Sequence, residues 1–365
     1  MNAVGIAEIE KIRRRIRMCD YLCVAQLFLR DNFLLRRPLE PNDIKPRLLG
    51  HWGTCHGINV AYANLVSVYG NDPGFSFVLG PGHGYPALQA NLWLDGELAK
   101  VDPQATNDIA GLEYICQNFS WPDGFPSHAS PLTPGVITEG GELGYALANA
   151  YGKALGHPEM TIAVLIGDGE LETATAIDSL NLRSLLASAG NGKVLPILHL
   201  NGYKISAPTI YARRSRRELL ELMRGFDYTP MDFDGDDTDE FQQVLREKAE
   251  APFYIMRTEK GKGGPNHGHE AHQIPLKNPK TDAGELKQLE EWLKSYRPED
   301  LFRDLSITNH EDVMAEPEKG QSEKDMVDTS DTATGLSDNN RKTESIDNGT
   351  GVNWVDRLVE VLNDR

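Results

Sequence analysis

Two short apolar runs, TIAVLIG at 161–167 and VLPILHL at 194–200, constrain this chain more than any other feature. The first passes into GDGE at 167–170 and the second into Asn201-Gly202, with thirty residues between Glu170 and Asn201. Runs this short and this rich in β-branched residues predict buried parallel strands, and the interval is long enough for one helical crossover. Because such crossovers are right-handed, the ends of the two strands come to lie side by side at the carboxyl edge of the sheet. A carboxylate from Asp168, an amide oxygen from Asn201 and a backbone carbonyl such as that of Tyr203 are then suited to a hard, octahedral Mg²⁺. A diphosphate and water would fill its remaining positions. The helix that opens after GDG turns its N–H groups toward the same anion.

The rest of the chain agrees with this frame. Further strand-like runs at 75–79 and 253–256 are separated by helix-length segments, which predicts an α/β fold, a parallel sheet with helices on both faces. The apolar spacing of Ile9, Ile12, Ile16, Leu22, Leu27 and Leu29 predicts an N-terminal helical lead-in over 1–50, ahead of an α/β domain over 51–304. Beyond it, 306–351 contain no Phe, Tyr or Trp and are rich in acidic and small polar residues. That composition predicts a disordered acidic linker over 305–351. The i, i+3, i+4, i+7 pattern of Val355, Leu358, Val359 and Leu362 predicts an amphipathic terminal helix over 352–365.

Three glycine-rich turns, HWGTCHG at 51–57, GPGHGYPA at 80–87 and EGGELGYAL at 139–147, each enter a predicted helix. With FPSH and HGHEAH they place seven of the ten histidines in loops: His51, His56, His83, His128, His267, His269 and His272. Imidazoles in loops point to proton transfer or metal binding. A zinc site drawn from Cys55, His51, His267, His269 and His272 is the competing reading, although HxHxxH matches no defensible zinc spacing. Against 37 basic residues stand 54 acidic ones, a net charge of −17. That balance disfavours nucleic acid and anionic membranes as partners, and the cluster Arg213, Arg214, Arg216, Arg217 reads as a solvated helix start. No apolar run reaches the length of a membrane span and the N-terminus has no leader-like core, so a cytoplasmic protein with reduced cysteines is expected.

The interval from GDG to Asn matches the thiamine diphosphate signature. The segments LRRPLEPNDIKPRLLGHWGT, GPGHG, FPSHASPLTPG, GDGELET, LPILHLNGYKI, RTEKGKGGP, AHQIPL and WLKSYRPEDLF resemble the N-terminal, diphosphate-binding part of phosphoketolases, relatives of transketolase. The resemblance implies Mg²⁺ on Asp168, Asn201 and the Tyr203 carbonyl, with thiamine diphosphate lined by Gly141, Glu142 and Gly169. It implies that His51, His83, His128 and His272 bind the sugar hydroxyls and move protons, a task suited to imidazoles of near-neutral pKa. The implied reaction cleaves xylulose 5-phosphate or fructose 6-phosphate with inorganic phosphate to acetyl phosphate, an aldose phosphate and water. Cys55-His56, Tyr85 and Asn266 depart from the family pattern. The resemblance stops at YRPEDLF, so a partner chain carrying the pyrimidine domain, or a homo-oligomer, is expected. The alternative is a non-catalytic module that binds Mg-thiamine diphosphate or a sugar phosphate and regulates an intact phosphoketolase.

Overall fold

A computed structural model describes residues 5–137, 139–186, 190–303 and 305. The expected acidic linker, Leu305 apart, and the expected terminal helix lie outside the described residues. In chain order the elements are α1 (Ile6–Phe28), α2 (Cys55–Tyr69), β1 (Phe75–Leu79), α3 (Tyr85–Leu94), α4 (Ile109–Asn118), α5 (Ala146–Ala154), β2 (Thr161–Gly167), α6 (Ala174–Ser179), α7 (Leu182–Leu185), β3 (Lys193–Leu200), α8 (Arg216–Gly225), β4 (Thr229–Asp234), α9 (Thr238–Arg246), β5 (Pro252–Arg257), α10 (Ala283–Ser295) and α11 (Pro298–Leu301). The five strands pair in the order β1-β2-β3-β5-β4, all parallel.

Alternation along the central strands explains the layering. Ala163, Leu165, Leu195, Ile197, Tyr254 and Met256 face one buried cluster, into which α1, α2 and α3 pack. Ile162, Val164, Ile166, Leu198, Phe253 and Ile255 face the other, covered by α5 and α8. Strands buried on both faces are why β2 and β3 read as unbroken apolar runs. β4 escapes such reading: it is an edge strand in which Asp232 and Asp234 alternate with Met231 and Phe233, and Pro230 near its start tells against a central strand. The four cysteines are free and buried. Among the described residues, no helix is long and apolar enough to cross a membrane.

Candidate active site

The register of β2 and β3, Gly167 opposite His199, puts the turns after both strands at the same edge, and the Asp168 N–H donates to the His199 carbonyl at 3.2 Å. The Asp168 carboxylate is buried. It accepts hydrogen bonds from Gly202 N at 2.8 Å, Thr209 Oγ1 at 2.9 Å and Gly169 N at 3.0 Å. Burial pushes its pKa up to about 6 despite these donors and the nearby Lys260. Asn201 Oδ1 accepts from Tyr203 N at 3.2 Å in the neighbouring turn. One carboxylate, one amide oxygen and peptide carbonyls are the donor set of a hard divalent cation, and the charge such a cation brings is what the buried Asp168 lacks. Gly141 and Glu142 lie exposed on the 139–144 loop, where a Cβ on Gly141 would meet nothing within 4 Å.

Four histidines from four loops converge. The ring of His51 lies 5.0 Å from that of His83, 5.2 Å from His128 and 5.1 Å from His272, and His83 lies 5.0 Å from His272. The loops are knit by backbone: Ala129 N donates to Gly82 O, Gly140 N to Ala129 O, and Gly261 N to Gly53 O. Gly82 and Gly140 touch so closely that a Cβ on Gly82 would sit 2.1 Å from the Gly140 Cα, so only glycine permits the crossing.

The expectation of near-neutral imidazoles is corrected by their surroundings. Burial, followed by its neighbours His128 and Lys260, lowers His51 to about 4. Burial, then Lys260 and His51, lowers His272 to about 3. His83 and His128 are lowered also, again chiefly by burial. All four are therefore neutral at physiological pH, each with one donor and one acceptor nitrogen.

Lys260, from the RTEKGKGG turn after β5, escaped the sequence reading as a site residue. Its buried ammonium donates to the carbonyls of Tyr203 at 2.7 Å and Lys204 at 3.1 Å, and lies 3.1 Å from His272 Nδ1. An ammonium only donates, so Nδ1 of His272 accepts and the ring proton sits on Nε2. Lys260 thus joins the Tyr203 turn to the imidazole quartet. The available signal was a lysine inside a glycine-rich turn at the carboxyl end of a strand. Glu170 was missed likewise; its buried carboxylate accepts from Gly144 N and Gly167 N, both at 3.1 Å, tying the EGGELG loop to GDGE.

The remaining loop histidines stay out of the quartet. His267 pairs with Glu259 at 3.1 Å, and the His269 ring lies 6.3 Å from that of Tyr203. The buried Cys55 thiol donates to the His51 carbonyl at 3.1 Å. Among the described residues no three His, Cys, Asp or Glu side chains group so as to hold a metal, so the zinc constellation does not assemble.

Residues 3–253 and 245–337 match the family described as the XFP N-terminal domain. A probable phosphoketolase of Streptomyces coelicolor is 42% identical over 334 residues, covering 83% of this chain and 42% of that protein. The chain belongs to the phosphoketolase N-terminal domain family. A probable phosphoketolase of Bradyrhizobium diazoefficiens is 40% identical over 82% of the chain, and probable phosphoketolase 2 of a Nostoc strain 41% identical over 81%, covering 42% and 41% of those proteins. The chain thus spans about two-fifths of the length of these phosphoketolases. Transketolases of Campylobacter jejuni and Leishmania mexicana share the fold, each with a TM-score of 0.56 at 19% identity. They are matched over 82% and 83% of this chain and over 47% and 46% of their own. The fold is the α/β thiamine diphosphate-binding fold.

Proposed function

We propose that this chain is the diphosphate-binding part of a cytoplasmic phosphoketolase that uses Mg²⁺ and thiamine diphosphate. It cleaves xylulose 5-phosphate or fructose 6-phosphate with inorganic phosphate to acetyl phosphate, an aldose phosphate and water. The convergence of His51, His83, His128 and His272 beside the Asp168–Asn201 edge carries this reading. Asp168, Asn201 and the Tyr203 carbonyl hold Mg²⁺, while Gly141, Glu142 and Gly169 line the diphosphate. Bound thiamine diphosphate supplies the electron sink for breaking a carbon–carbon bond beside a carbonyl. The quartet meets the sugar hydroxyls through the ring nitrogens the protein leaves open, His272 as a donor through Nε2 because its Nδ1 accepts from Lys260. Lys260 fixes the His272 proton on Nε2. An anionic sugar phosphate or phosphate among these rings raises their pKa, which lets one of them carry the proton that a departing hydroxide requires. The pyrimidine side of the cofactor is met by a partner chain or within a homo-oligomer.

Calorimetric titration with thiamine diphosphate in the presence and absence of Mg²⁺ tests the binding half of this reading. Saturable, Mg²⁺-dependent binding, weakened roughly 100-fold or more by Asp168→Asn, is expected. Metal-independent binding, or an unaffected Asp168→Asn variant, contradicts it. Acetyl phosphate production with a pyrimidine-domain chain tests the catalytic half, and binding without turnover under any pairing selects the regulatory module instead.

A further inference from the structure

His56 departs from the family pattern and takes no part in the quartet, yet it makes the most heavily charged contact near it. It is the second residue of α2. Its Nδ1 lies 2.8 Å from Asp20 Oδ2 on α1, and its Nε2 lies 3.1 Å from Asp236 Oδ1, just after β4. Carboxylates only accept, so both ring nitrogens donate and the ring is an imidazolium. Asn59 Nδ2 donates to Asp20 Oδ1 at 2.8 Å, and Lys262, in the turn after β5, pairs with Asp236 at 2.8 Å. Two carboxylates thus face two cations in a compact, nearly neutral group that joins α1, α2 and the turns after β4 and β5.

This group holds one end of the segment that carries His51. Cys55 N donates to Trp52 O and Cys55 Sγ to His51 O, so His51–Thr54 and the first residues of α2 form one continuous turn. Its other end is tied by Trp52 N to Gln273 O at 3.4 Å and by Gly261 N to Gly53 O at 2.9 Å. There is no slack, since a Cβ on Gly53 would lie 2.6 Å from the Ala271 carbonyl oxygen. His51 alone touches all three other rings of the quartet, so a displacement of this turn is a displacement of the quartet's centre.

We infer that His56 is a positioning residue: clamped between Asp20 and Asp236, it sets where the His51 ring stands among His83, His128 and His272. The inference rests on the quartet being the reacting site, and a shift of about 1 Å at such a site costs roughly 100-fold in rate. The coupling to His51 runs through Asp20, in the C-terminal half of α1, and Asp236, just after β4; Asp168 and Asn201 lie at the ends of β2 and β3.

The test records imidazole C–H signals of the isotope-labelled full chain for wild type, His56→Gln and Asp236→Asn. Asp236→Asn removes the negative charge at one end of the clamp with a side chain of the same shape. Met223→Ala, in the core on the opposite face of the sheet, serves as a control of general loosening. The expected result is a displaced His51 signal in both clamp variants, an unmoved signal for the exposed His157, and a His51 signal unchanged in Met223→Ala. Mg-thiamine diphosphate affinity stays within about threefold of wild type. If His56→Gln does not fold, Asp236→Asn decides alone. An unmoved His51 signal in the folded clamp variants, or an equal displacement in Met223→Ala, overturns the inference. Absence of thiamine diphosphate binding in wild type would instead overturn the proposed function, leaving the clamp untouched.

Discussion

His51 and His56 stand five residues apart, both largely buried, and their protonation is opposite. Burial, with His128 and the Lys260 ammonium beside it, holds His51 at about 4, whereas Asp20 and Asp236 outweigh burial and lift His56 to about 10. Burial alone disfavours the charged ring in both places, so the sign is decided by which charges face it. One ring is part of an ionic clamp with every nitrogen engaged. The other keeps its buried Nδ1 without a hydrogen-bond partner in the described structure. An unsatisfied polar atom is costly to the fold and useful to a ligand, which is the difference between a site and its scaffold.

The largest effect that would break this contrast comes from removing the clamp's centre. His56→Ala leaves Asp20 and Asp236 buried without their shared cation, and a loss of about 3–5 kcal/mol in chemical denaturation is expected. His51→Asn removes a ring that makes no ion pair. Its stability change is expected below about 1 kcal/mol, with near-complete loss of acetyl phosphate formation in the reconstituted enzyme; equal destabilisation by both substitutions would erase the distinction.

Acid and alkali sharpen the comparison from opposite sides. The folded pKa of His56 is raised, so the stability it confers is complete below about 6.5 and disappears as pH rises through about 10. His51 and His272 are depressed, so their contribution is intact above about 6.5 and is lost as pH falls through about 4 and about 3. Urea denaturation of wild type and His56→Gln should therefore differ most at about pH 6 to 6.5 and converge toward pH 10. A gap that widens in alkali would refute the imidazolium assignment. Smallest is Lys262→Met, which takes from Asp236 a lysine that is 42% exposed; about 0.5–1 kcal/mol is expected by thermal unfolding.

How much of this could be read in the sequence follows from how local each signal is. β2 and β3 were legible because burial on both faces leaves an unbroken apolar run, and the Asp168–Asn201 pairing followed from crossover handedness. The loops bearing His51 and His83 announced themselves through their glycines, and those bearing His128 and His272 through the FPSH and HGHEAH segments. β4 was not legible, because an edge strand with one polar face and a proline carries no such run. The partners of His56 were out of reach for another reason: Asp20 and Asp236 lie 36 and 180 residues away, and only the folded sheet brings them together. Lys260 and Glu170 sat inside recognised motifs, but their roles depend on the Tyr203 turn and the Gly144 loop folding against them.

The central claim is that four loop imidazoles and the carboxyl edge of β2 and β3 form one ligand site, from which His56 is separate. Titrating the isotope-labelled full chain with Mg²⁺ and thiamine diphosphate while observing its histidine rings tests this directly. The predicted result is that His51, His83, His128 and His272 shift together on saturation while His56 and His157 stay in place. Saturable binding that leaves the quartet unmoved, or that moves His56 instead, would contradict it.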